Sequence, residues 1–410
     1  MNNIPKGYKQ TEVGVVPEDW EVRQLCEIGE VIRGASPRPK GDKRYYGGSI
    51  PRLMVEDVTR DGKMVFPRVD YLTEEGALKS RPCKKGTITI VCSGTVGVTS
   101  FLGIDACIHD GFLALIKIKK NVSDDYLYHQ LSSLQEVFNT SATHGGVFTN
   151  LTTSGVKEFS IPIPPTLTEQ TAIATALSDA DALIQSLEKL IAKKRAIKQG
   201  AMQELLRPKE GWVVKKLGEI LDSFQLGGNY PNSEAESNHP LIKMGNLNRG
   251  YIDLKKLEFI NNDVLPSQKD RLHFGDVLFN TRNTLDLVGK VAIWKDELSE
   301  AYFNSNIMRF NFKQAHVSST FCINFMLNTK GMISKLRGMA TGTTSVAAVY
   351  TRDLLKLDIP LPSLDEQICI ATILSDMDEE IATLEIKLAK YKKIKQGMMQ
   401  NLLTGRIRLV

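Results

Sequence analysis

Glycine-rich and acidic segments are the first candidates for chemistry in this sequence. Ser93-Gly94-Thr95-Val96-Gly97 follows an apolar strand and could cradle a phosphate. It lacks a third glycine and a long helix after it, so a turn is the simpler interpretation. Four carboxylates could be imagined as a nuclease site, namely Asp105, Asp110, Asp276 and Asp286. No spacing or basic partner distinguishes them, so they define no catalytic site.

The residues that other catalytic chemistries require are missing from the sequence. Gly62-Lys63 is followed by Met64 and Gly289-Lys290 by Val291, so there is no phosphate-binding loop of the Gly-Lys-Ser/Thr type. No Asn or Asp is followed by two prolines and an aromatic residue, the pattern expected of a methyltransferase acting on base amino groups. The six cysteines form no C-x-x-C pair and the six histidines no ligand spacing. We therefore predict no catalytic residue and no metal site in this chain.

Length and composition indicate a globular protein of two or three domains. The chain has 410 residues, of which 42% are hydrophobic and 24% charged, and no apolar run is long enough to cross a bilayer. The first ten residues are polar and lack the apolar stretch of a secretory signal, so we expect no membrane contact and a cytoplasmic protein. A net charge of +5 is compatible with nucleic acid, an acidic partner or neither.

An internal repeat supplies the elements that must position any functional surface. The residues from Ile173 to Leu206 recur, largely unchanged, from Ile370 to Leu403, always 197 positions later. Repeats of this kind usually build one pseudo-symmetric object. Helix-start residues precede both copies, so the pattern predicts helices over about 168–206 and 365–403. Each would be about 57 Å long at about 1.5 Å per residue.

The apolar positions of both predicted helices alternate in steps of four and three, which is a heptad seam. The predicted packing residues are Ile173, Leu177, Ile184, Leu187, Ile191, Ile370, Leu374, Ile381, Leu384 and Leu388. We expect the two helices to pack side by side and antiparallel. Their basic C-terminal parts are either solvated faces or contacts for DNA backbone or a partner.

The segments before each helix resemble each other faintly and predict two α+β domains. Each begins with a tryptophan-led strand, at Trp20 and Trp212, and ends in a proline-rich strand at Ile161-Pro162-Ile163-Pro164 and Ile359-Pro360-Leu361-Pro362. We predict a first head at 1–165, a repeat helix at 166–206, a second head at 207–363, and a second repeat helix with a tail at 364–410. The expected fold class is α+β, with two domains joined by an antiparallel coiled-coil spacer in a pseudo-two-fold internal repeat.

This organisation resembles the specificity subunits of type I restriction-modification enzymes. The likeness covers nearly the whole chain and rests on the two proline-rich strands, the Glu-Gln-opened helices after them, and the run Ala340-Thr341-Gly342-Thr343-Thr344-Ser345. The first half departs from the pattern at Ala142-Thr143-His144-Gly145-Gly146-Val147.

The resemblance implies a DNA reader without catalysis of its own, whose heads are target-recognition domains. Family members bind double-stranded DNA and dock two modification (methyltransferase) subunits and two restriction (motor-nuclease) subunits. S-adenosylmethionine, ATP and Mg²⁺ would then be bound by those partners, with no cofactor bound by this chain. Since the heads differ, the target should be bipartite and asymmetric, and heads held by such helices can reach major-groove faces about 34 Å apart.

Under this resemblance, polar and basic loop residues are the candidates for base contact. Arg matches the guanine edge and Asn or Gln the adenine edge, each bidentate pair contributing about 1–3 kcal/mol. The predicted DNA-binding residues are Arg33, Ser36, Arg38, Lys40, Lys43 and Arg44 in the first head, and Asn246, Asn248, Arg249, Arg282, Asn283, Thr284 and Thr344 in the second. For any single residue, a solvent-facing charge or a phosphate contact is the more common role.

Two other classes of function stay open at this point. One is a nuclease whose active site has no recognisable motif. The other is a coiled-coil adaptor between proteins with no role on DNA. Catalysis by the chain alone would favour the first, and salt-independent DNA binding by its complex would favour the second.

Overall fold

The computed structural model describes residues 4–141, 143–145, 148–343 and 346–409. The chain forms two compact units. Unit 1 contains Met1–Leu187 together with Lys387–Val410, and unit 2 contains Glu188–Ile386. Each of the two long helices therefore contributes one part of its length to each unit.

Unit 1 contains the first head. Its strands are β1 (Tyr8–Thr11), β2 (Gly14–Pro17), β3 (Glu21–Gln24), β4 (Glu30–Arg33), β5 (Tyr46–Leu53), β6 (Met64–Val65), β7 (Asp70–Leu72), β8 (Arg81–Cys83), β9 (Ile88–Val91), β10 (Thr99–Leu102), β11 (Ala106–Ile108), β12 (Phe112–Ile116), β13 (Thr143–Gly145), β14 (Phe148–Asn150) and β15 (Ser160–Ile163). Its helices are α1 (Leu25–Ile28), α2 (Val55–Asp61), α3 (Glu74–Leu78), α4 (Asp124–Ser133), α5 (Gln135–Ser141), α6 (Thr153–Glu158) and the start of the long helix α7 (Leu167–Leu205).

Two sheets form the centre of the first head. One has the order β4-β12-β9-β10-β6 and the other β7-β5-β11-β8, while the proline-containing β15 pairs only with the tryptophan-led β3. Strands β9 and β12 are almost wholly apolar and buried, as expected for strands with neighbours on both sides. The proline in β15 lies in a two-stranded pair, where its missing donor costs little.

Unit 2 contains the second head. Its strands are β16 (Val213–Lys216), β17 (Leu221–Leu226), β18 (Asn232–Ser233), β19 (Pro240–Ile242), β20 (Glu258–Ile260), β21 (Val277–Asn280), β22 (Arg282–Asn283), β23 (Val291–Ile293), β24 (Tyr302–Phe303), β25 (Ile307–Phe312), β26 (Thr341–Gly342), β27 (Ala347–Ala348) and β28 (Asp358–Leu361). Its helices are α8 (Leu217–Ile220), a 3₁₀ turn (Gln268–Asp270), α9 (Thr320–Leu327), α10 (Lys330–Gly338), α11 (Thr351–Leu354) and the long helix α12 (Leu364–Leu402).

The second head repeats the sheet order of the first. Its sheet β17-β25-β21-β23 matches β4-β12-β9-β10, its β20-β19-β24 matches β7-β5-β11, and its pair β16-β28 matches β3-β15. The antiparallel pair β26-β27 lies between α10 and α11, as β13-β14 lies between α5 and α6 in the first head, and β22 adds a third strand to it. The faint likeness of the head sequences therefore corresponds to a shared topology, and the predicted α+β fold with an internal repeat is confirmed.

The two long helices start in the same way. The side-chain oxygens of Thr166 and Ser363 accept hydrogen bonds from the backbone N–H groups of Glu169 and Glu366, at 3.2 and 3.3 Å. These N-caps satisfy donors that the first turn leaves open. Both helices have 39 residues and begin one residue earlier than the sequence pattern predicted.

The helices pack antiparallel, and each unit shows this separately. In unit 1 the start of α7, at Ile173 and Leu177, shares a buried cluster with Leu402 and Leu403 at the end of α12. In unit 2, Leu206 shares a cluster with Ile370 and Leu374 at the start of α12.

Most of the predicted seam is covered. Ile173, Leu177, Leu187, Ile191, Ile370, Leu374 and Ile381 are buried. Ile184, Leu384 and Leu388 are half-buried.

One ion pair occurs twice between the helices. Lys395 Nζ lies 2.5 Å from Asp181 Oδ1 in unit 1, and Lys198 forms the same pair with Asp378 in unit 2. These residues are equivalents in the sequence repeat, because both the lysines and the aspartates are 197 positions apart. The repeat thus preserves side-chain contacts as well as helical periodicity.

A buried glutamine fastens each head to its long helix. Gln170 accepts a hydrogen bond from the Ser123 N–H at 2.7 Å and donates to the carbonyls of Asn121 and Pro164 at 3.1 and 3.0 Å. Its side chain is fully buried. The Glu-Gln pair that the sequence presents as a helix start is therefore also the attachment point of the head.

Gln367 repeats this arrangement in unit 2. It accepts from the Ser318 N–H at 3.1 Å and donates to the carbonyls of His316 and Pro362 at 2.9 and 3.2 Å. It is also fully buried.

Candidate nucleic-acid interface

The predicted loop of the first head folds around Asp110. Strand β4 ends at Arg33, whose Nε donates to the Asp110 carbonyl at 3.0 Å. Ser36 Oγ donates to Asp110 Oδ1 at 2.6 Å and accepts from Arg52 Nη2 at 2.6 Å. Arg38 Nη2 lies 3.5 Å from Asp110 Oδ2. The structure therefore brings Arg33, Ser36 and Arg38 together, but each has a partner within the head.

The charges around this loop are largely compensated. Burial acts to raise the pKa of Asp110, but hydrogen bonds from Ser36 and His109 outweigh it and hold that pKa below its usual value. Burial, with a contribution from Arg52, lowers the pKa of His109, so the ring is neutral near neutral pH. Arg52 itself is buried and bonds to Asp70 Oδ2 at 2.6 Å.

The far end of the same loop is more open. Lys40 and Lys43 are exposed, and within the described residues neither forms an ion pair. Arg44 Nη2 lies 2.7 Å from Asp42 Oδ2, and this hydrogen bond lowers the pKa of Asp42. Lys40 and Lys43 are thus the cations of this loop with the least internal competition for an external anion.

In the second head, the side chain of Asn246 forms all its hydrogen bonds to backbone groups of the head. Its Nδ2 donates to the carbonyls of Asp253 and Lys256 at 2.9 and 3.0 Å, and its Oδ1 accepts from the Lys243 N–H at 2.9 Å. The residue is buried. Both amide hydrogens are therefore used within the head, which leaves Asn246 no free donor for the edge of an adenine.

The neighbours of Asn246 lie closer to the surface. Asn248 is half-buried, and its Oδ1 accepts from Lys290 Nζ at 3.3 Å. Arg249 is also half-buried, and its Nη1 and Nη2 have no acceptor among the described residues. Lys290 and Arg337, which sequence reasoning missed, lie beside this loop; they are far from it in sequence, so no local pattern could have indicated them.

The segment Arg282–Asn283 forms strand β22 and pairs with β27. Arg282 is exposed, whereas Asn283 and Thr284 are half-buried. This sheet places the segment beside β27, which pairs in turn with β26. Thr344 lies outside the described residues. The DNA-binding role of all these residues stays a prediction.

Two of the carboxylates named above as a possible nuclease site form ion pairs within their own heads. Asp105 pairs with Lys84 at 2.8 Å and Asp276 with Arg309 at 3.0 Å. Within the described residues no group of three or more His, Cys, Asp or Glu side chains is placed to hold a metal ion. In that same part of the chain, no helix combines the length and apolar character needed to span a bilayer.

The sequence of each half of the chain matches a family of DNA-specificity domains. The family described as "Type I restriction modification DNA specificity domain" matches residues 17–198 and again residues 209–396. The chain belongs to this family and carries its domain twice. It is a specificity subunit of a type I restriction-modification system, a class of chain that carries no catalytic activity itself.

Individual relatives agree with this assignment. The chain is 28% identical over 415 residues to the "Type I restriction enzyme MjaVIII specificity subunit" of Methanocaldococcus jannaschii, covering 96% of this chain and 94% of the relative. It is 22% identical over 433 residues to the EcoKI specificity subunit of Escherichia coli, covering 96% and 90%. Among solved structures, the type I S subunit from M. genitalium superposes with a TM-score of 0.59 at 16% identity, covering 94% of this chain and 96% of that one. This last likeness supports the fold.

Proposed function

We propose that the chain reads a bipartite, asymmetric DNA target, with one half-site bound by each head. The observation that carries this proposal is the duplication of a DNA-specificity domain on two helices of equal length and repeated sequence, combined with different polar loops in the two copies. A duplicated frame supports two similar binding events, and different loops support different bases in the two half-sites. The candidate readers are Arg33, Ser36, Arg38, Lys40, Lys43 and Arg44 in the first head and Asn248, Arg249, Arg282, Asn283, Thr284 and Thr344 in the second.

We further propose that the long helices set the number of unread base pairs between the half-sites. Each helix has 39 residues and is therefore about 58 Å long at about 1.5 Å per residue. That length exceeds the distance of about 34 Å between successive turns of the major groove.

The chain would perform this role inside a larger cytoplasmic complex. The family implies two methyltransferase subunits, which bind S-adenosylmethionine and methylate adenine, and two motor-nuclease subunits, which bind ATP and Mg²⁺ and cleave. A solved relative with a TM-score of 0.56 is described by its assembly within the type I R-M system. The sequence repeat of the two long helices supports two copies of the same partner, because a partner binding twice needs the same surface twice.

A reconstitution experiment tests the proposal. The purified chain, alone and with its co-expressed methyltransferase subunits, is incubated with genomic DNA, Mg²⁺ and labelled S-adenosylmethionine. We expect methyl transfer only by the complex, and duplex affinity that falls steeply as salt rises. Cleavage or methylation by the chain alone would favour an enzyme, and affinity independent of salt would favour an adaptor without a DNA role.

A further inference from the structure

Three cations of the second head converge from segments that are distant in sequence. We call Arg249, Lys290 and Arg337 the basic cluster. Lys290 Nζ donates to Asn248 Oδ1 at 3.3 Å, and the Gly250 N–H donates to the Val291 carbonyl at 2.7 Å. These two bonds hold the Arg249 loop against the start of β23.

Helix α10 brings the third cation to the same place. Gly289, just before Lys290, packs against Leu336: a Cβ at Gly289 would lie 3.5 Å from the Leu336 Cβ. The next residue, Arg337, donates from Nη2 to the Asp286 carbonyl at 3.2 Å. The segment 284–290 therefore lies between the Arg249 loop and α10, and it also begins with Thr284, one of the predicted DNA contacts.

No carboxylate neutralises the basic cluster. Among the described residues none of its three members forms an ion pair, and the partners of Lys290 and Arg337 are neutral amide and carbonyl oxygens. Nη1 and Nη2 of Arg249 are buried and find no acceptor in the part of the chain that the structure describes. Burying a charged donor without an acceptor costs free energy, because the donor loses its hydrogen bonds to water and forms none within the protein.

The like charges also act on one another. Burial, followed by the charge of Arg337, lowers the pKa of Arg249. Burial, followed by the charge of Arg249, lowers the pKa of Lys290. The lowered pKa values mean that the charged forms of Arg249 and Lys290 are destabilised in the free head. An external anion would stabilise them.

Arg309, a buried arginine of the same head, differs from the basic cluster because its charge is compensated within the fold. Arg309 donates from Nη1 to Asp276 Oδ2 at 3.0 Å and from Nη2 to Gln225 Oε1 at 3.0 Å. Both of its Nη groups have acceptors, one of them a carboxylate. In the basic cluster, Arg249 and Lys290 are half-buried and Arg337 is exposed, and among the described residues none of the three has a carboxylate partner.

We propose that the basic cluster binds a phosphodiester group of the DNA backbone and so fixes the register of the second head on its half-site. Lys290 and the exposed Arg337 would donate to the phosphate oxygens, and Arg249 would add positive charge from beneath them. Phosphate contacts position a protein on DNA without reading sequence. This inference rests on the proposed DNA-reading function and assigns two residues, Lys290 and Arg337, that no sequence pattern marked.

Charge-removing variants test the basic cluster in the assembled complex with the methyltransferase subunits. Lys290→Gln and Arg337→Gln are compared with Lys356→Gln, a control in the turn after α11 of the same head, whose lysine pairs with Asp353 at 3.7 Å. Dissociation constants are measured against salt concentration, on target and on scrambled duplexes. We expect each cluster variant to weaken binding to both duplexes about tenfold, since a charged hydrogen bond contributes on this scale. The log–log salt slope should become shallower by about 0.9 for each lost phosphate contact, and the control should leave both unchanged.

Thermal unfolding of the same variants separates binding from a structural role. Because neutralisation relieves repulsion, Lys290→Gln and Arg337→Gln should unfold at the wild-type temperature or above it. Arg249→Lys should retain more affinity than Arg249→Gln, since it keeps the charge.

Four outcomes would overturn the inference, and they are distinguishable. If the variants keep the wild-type affinity and salt slope while the wild-type complex still prefers the target duplex, the basic cluster does not bind phosphate. The proposed function is unaffected by that result. Loss on the target duplex alone would assign base reading instead. A lower unfolding temperature that accounts for the lost affinity would assign a structural role. Salt-independent binding by the wild-type complex would contradict both the proposed function and the phosphate-binding role of the basic cluster.

Discussion

The two long helices keep the same contacts in both units, whereas the two heads neutralise their charges differently. Gln170 and Gln367 make equivalent sets of three hydrogen bonds, and Lys198 and Lys395 form equivalent ion pairs. In the first head, Arg38 is close to Asp110, a carboxylate inside the head. In the second head the basic cluster has no such carboxylate partner among the described residues.

This difference teaches which parts of the molecule are constrained to be alike. The helices must present the same frame twice, so their buried polar contacts are retained along with their apolar seam. The heads share their sheet order but differ in the loops between strands, where side chains can change without disturbing the core. Even the first turns of the helices differ where they meet other segments: Glu169 pairs with Arg408 of the C-terminal tail, and Glu366 accepts from Trp212 Nε1 at 2.9 Å.

The largest expected effect comes from lengthening the frame while leaving the heads alone. Inserting one heptad after Leu187 and one after Leu384, which are equivalent positions in the repeat, adds about 10.5 Å to each helix. At about 3.4 Å per base pair, the unread gap should grow by about three base pairs. Methylation mapping of the modified target measures this gap. A heptad in one helix only is the control and should abolish methylation; altered bases within the half-sites would contradict the division of roles.

The buried glutamines test whether the frame is equivalent in both units. Gln170→Leu and Gln367→Leu should each lower the free energy of unfolding by about 3 kcal/mol, because each leaves a buried N–H and two carbonyls without their partner. Chemical denaturation of the two variants, with the exposed Gln203→Leu as control, measures the effect. Costs that differ between the two by more than about 1 kcal/mol would show that the attachment of the heads is not equivalent.

One buried histidine should make the two units respond differently to acid. Burial lowers the pKa of His129 to about 4, with a further contribution from Lys63, and its Nε2 lies 3.0 Å from Ser178 Oγ. Since the unfolded chain binds this proton near pH 6.5, stability is complete above that pH and falls as the pH drops towards 4. We expect a loss of about 2 kcal/mol between pH 7 and pH 5.

The sixth residue after the N-cap of α9 is Phe325, where α4 has His129, so unit 2 lacks this titration. His129→Gln should reduce the acid sensitivity when unfolding is followed against pH, and the part that comes from His109 should remain. The exposed His273→Gln should not change it. Equal pH dependence in wild type and His129→Gln would contradict the assignment.

The duplicated ion pairs give the smallest expected effect. Lys198→Met and Lys395→Met should each cost about 0.5 kcal/mol, since the pairs are only partly shielded from water. The two losses should be alike and should shrink when urea denaturation is repeated in 1 M salt. A large, salt-insensitive loss for one of them would show that the pairs differ in burial or partners.

Much of the fold could be predicted because its signals are local. Heptad spacing, helix-start residues and proline-rich strand ends indicated both long helices to within about one residue, and the strands near Ile90 and Phe279 follow from apolar runs after glycine turns. The break between α4 and α5 has no such local signal, because no proline or glycine marks the turn at Leu134.

The candidate interface was less predictable, because its side chains meet through tertiary structure. No residue pattern indicates that the carbonyls of Asp253 and Lys256, further along the same loop, take both amide hydrogens of Asn246. Similarly, Arg249 and Arg337 meet only because α10 packs beside Gly289. Composition can suggest a loop for binding, but which loop cations remain uncompensated depends on neighbours that only the fold brings together.

Sequencing of modified adenines in the host genome, with the gene present, deleted and restored, tests the central claim most directly. Two unlike half-sites separated by a fixed run of unread bases should be methylated when the gene is present, lost on deletion and regained on restoration. A methylation pattern that is unaffected by deletion, or a single contiguous palindromic site, would contradict the claim that this chain reads DNA with two different heads.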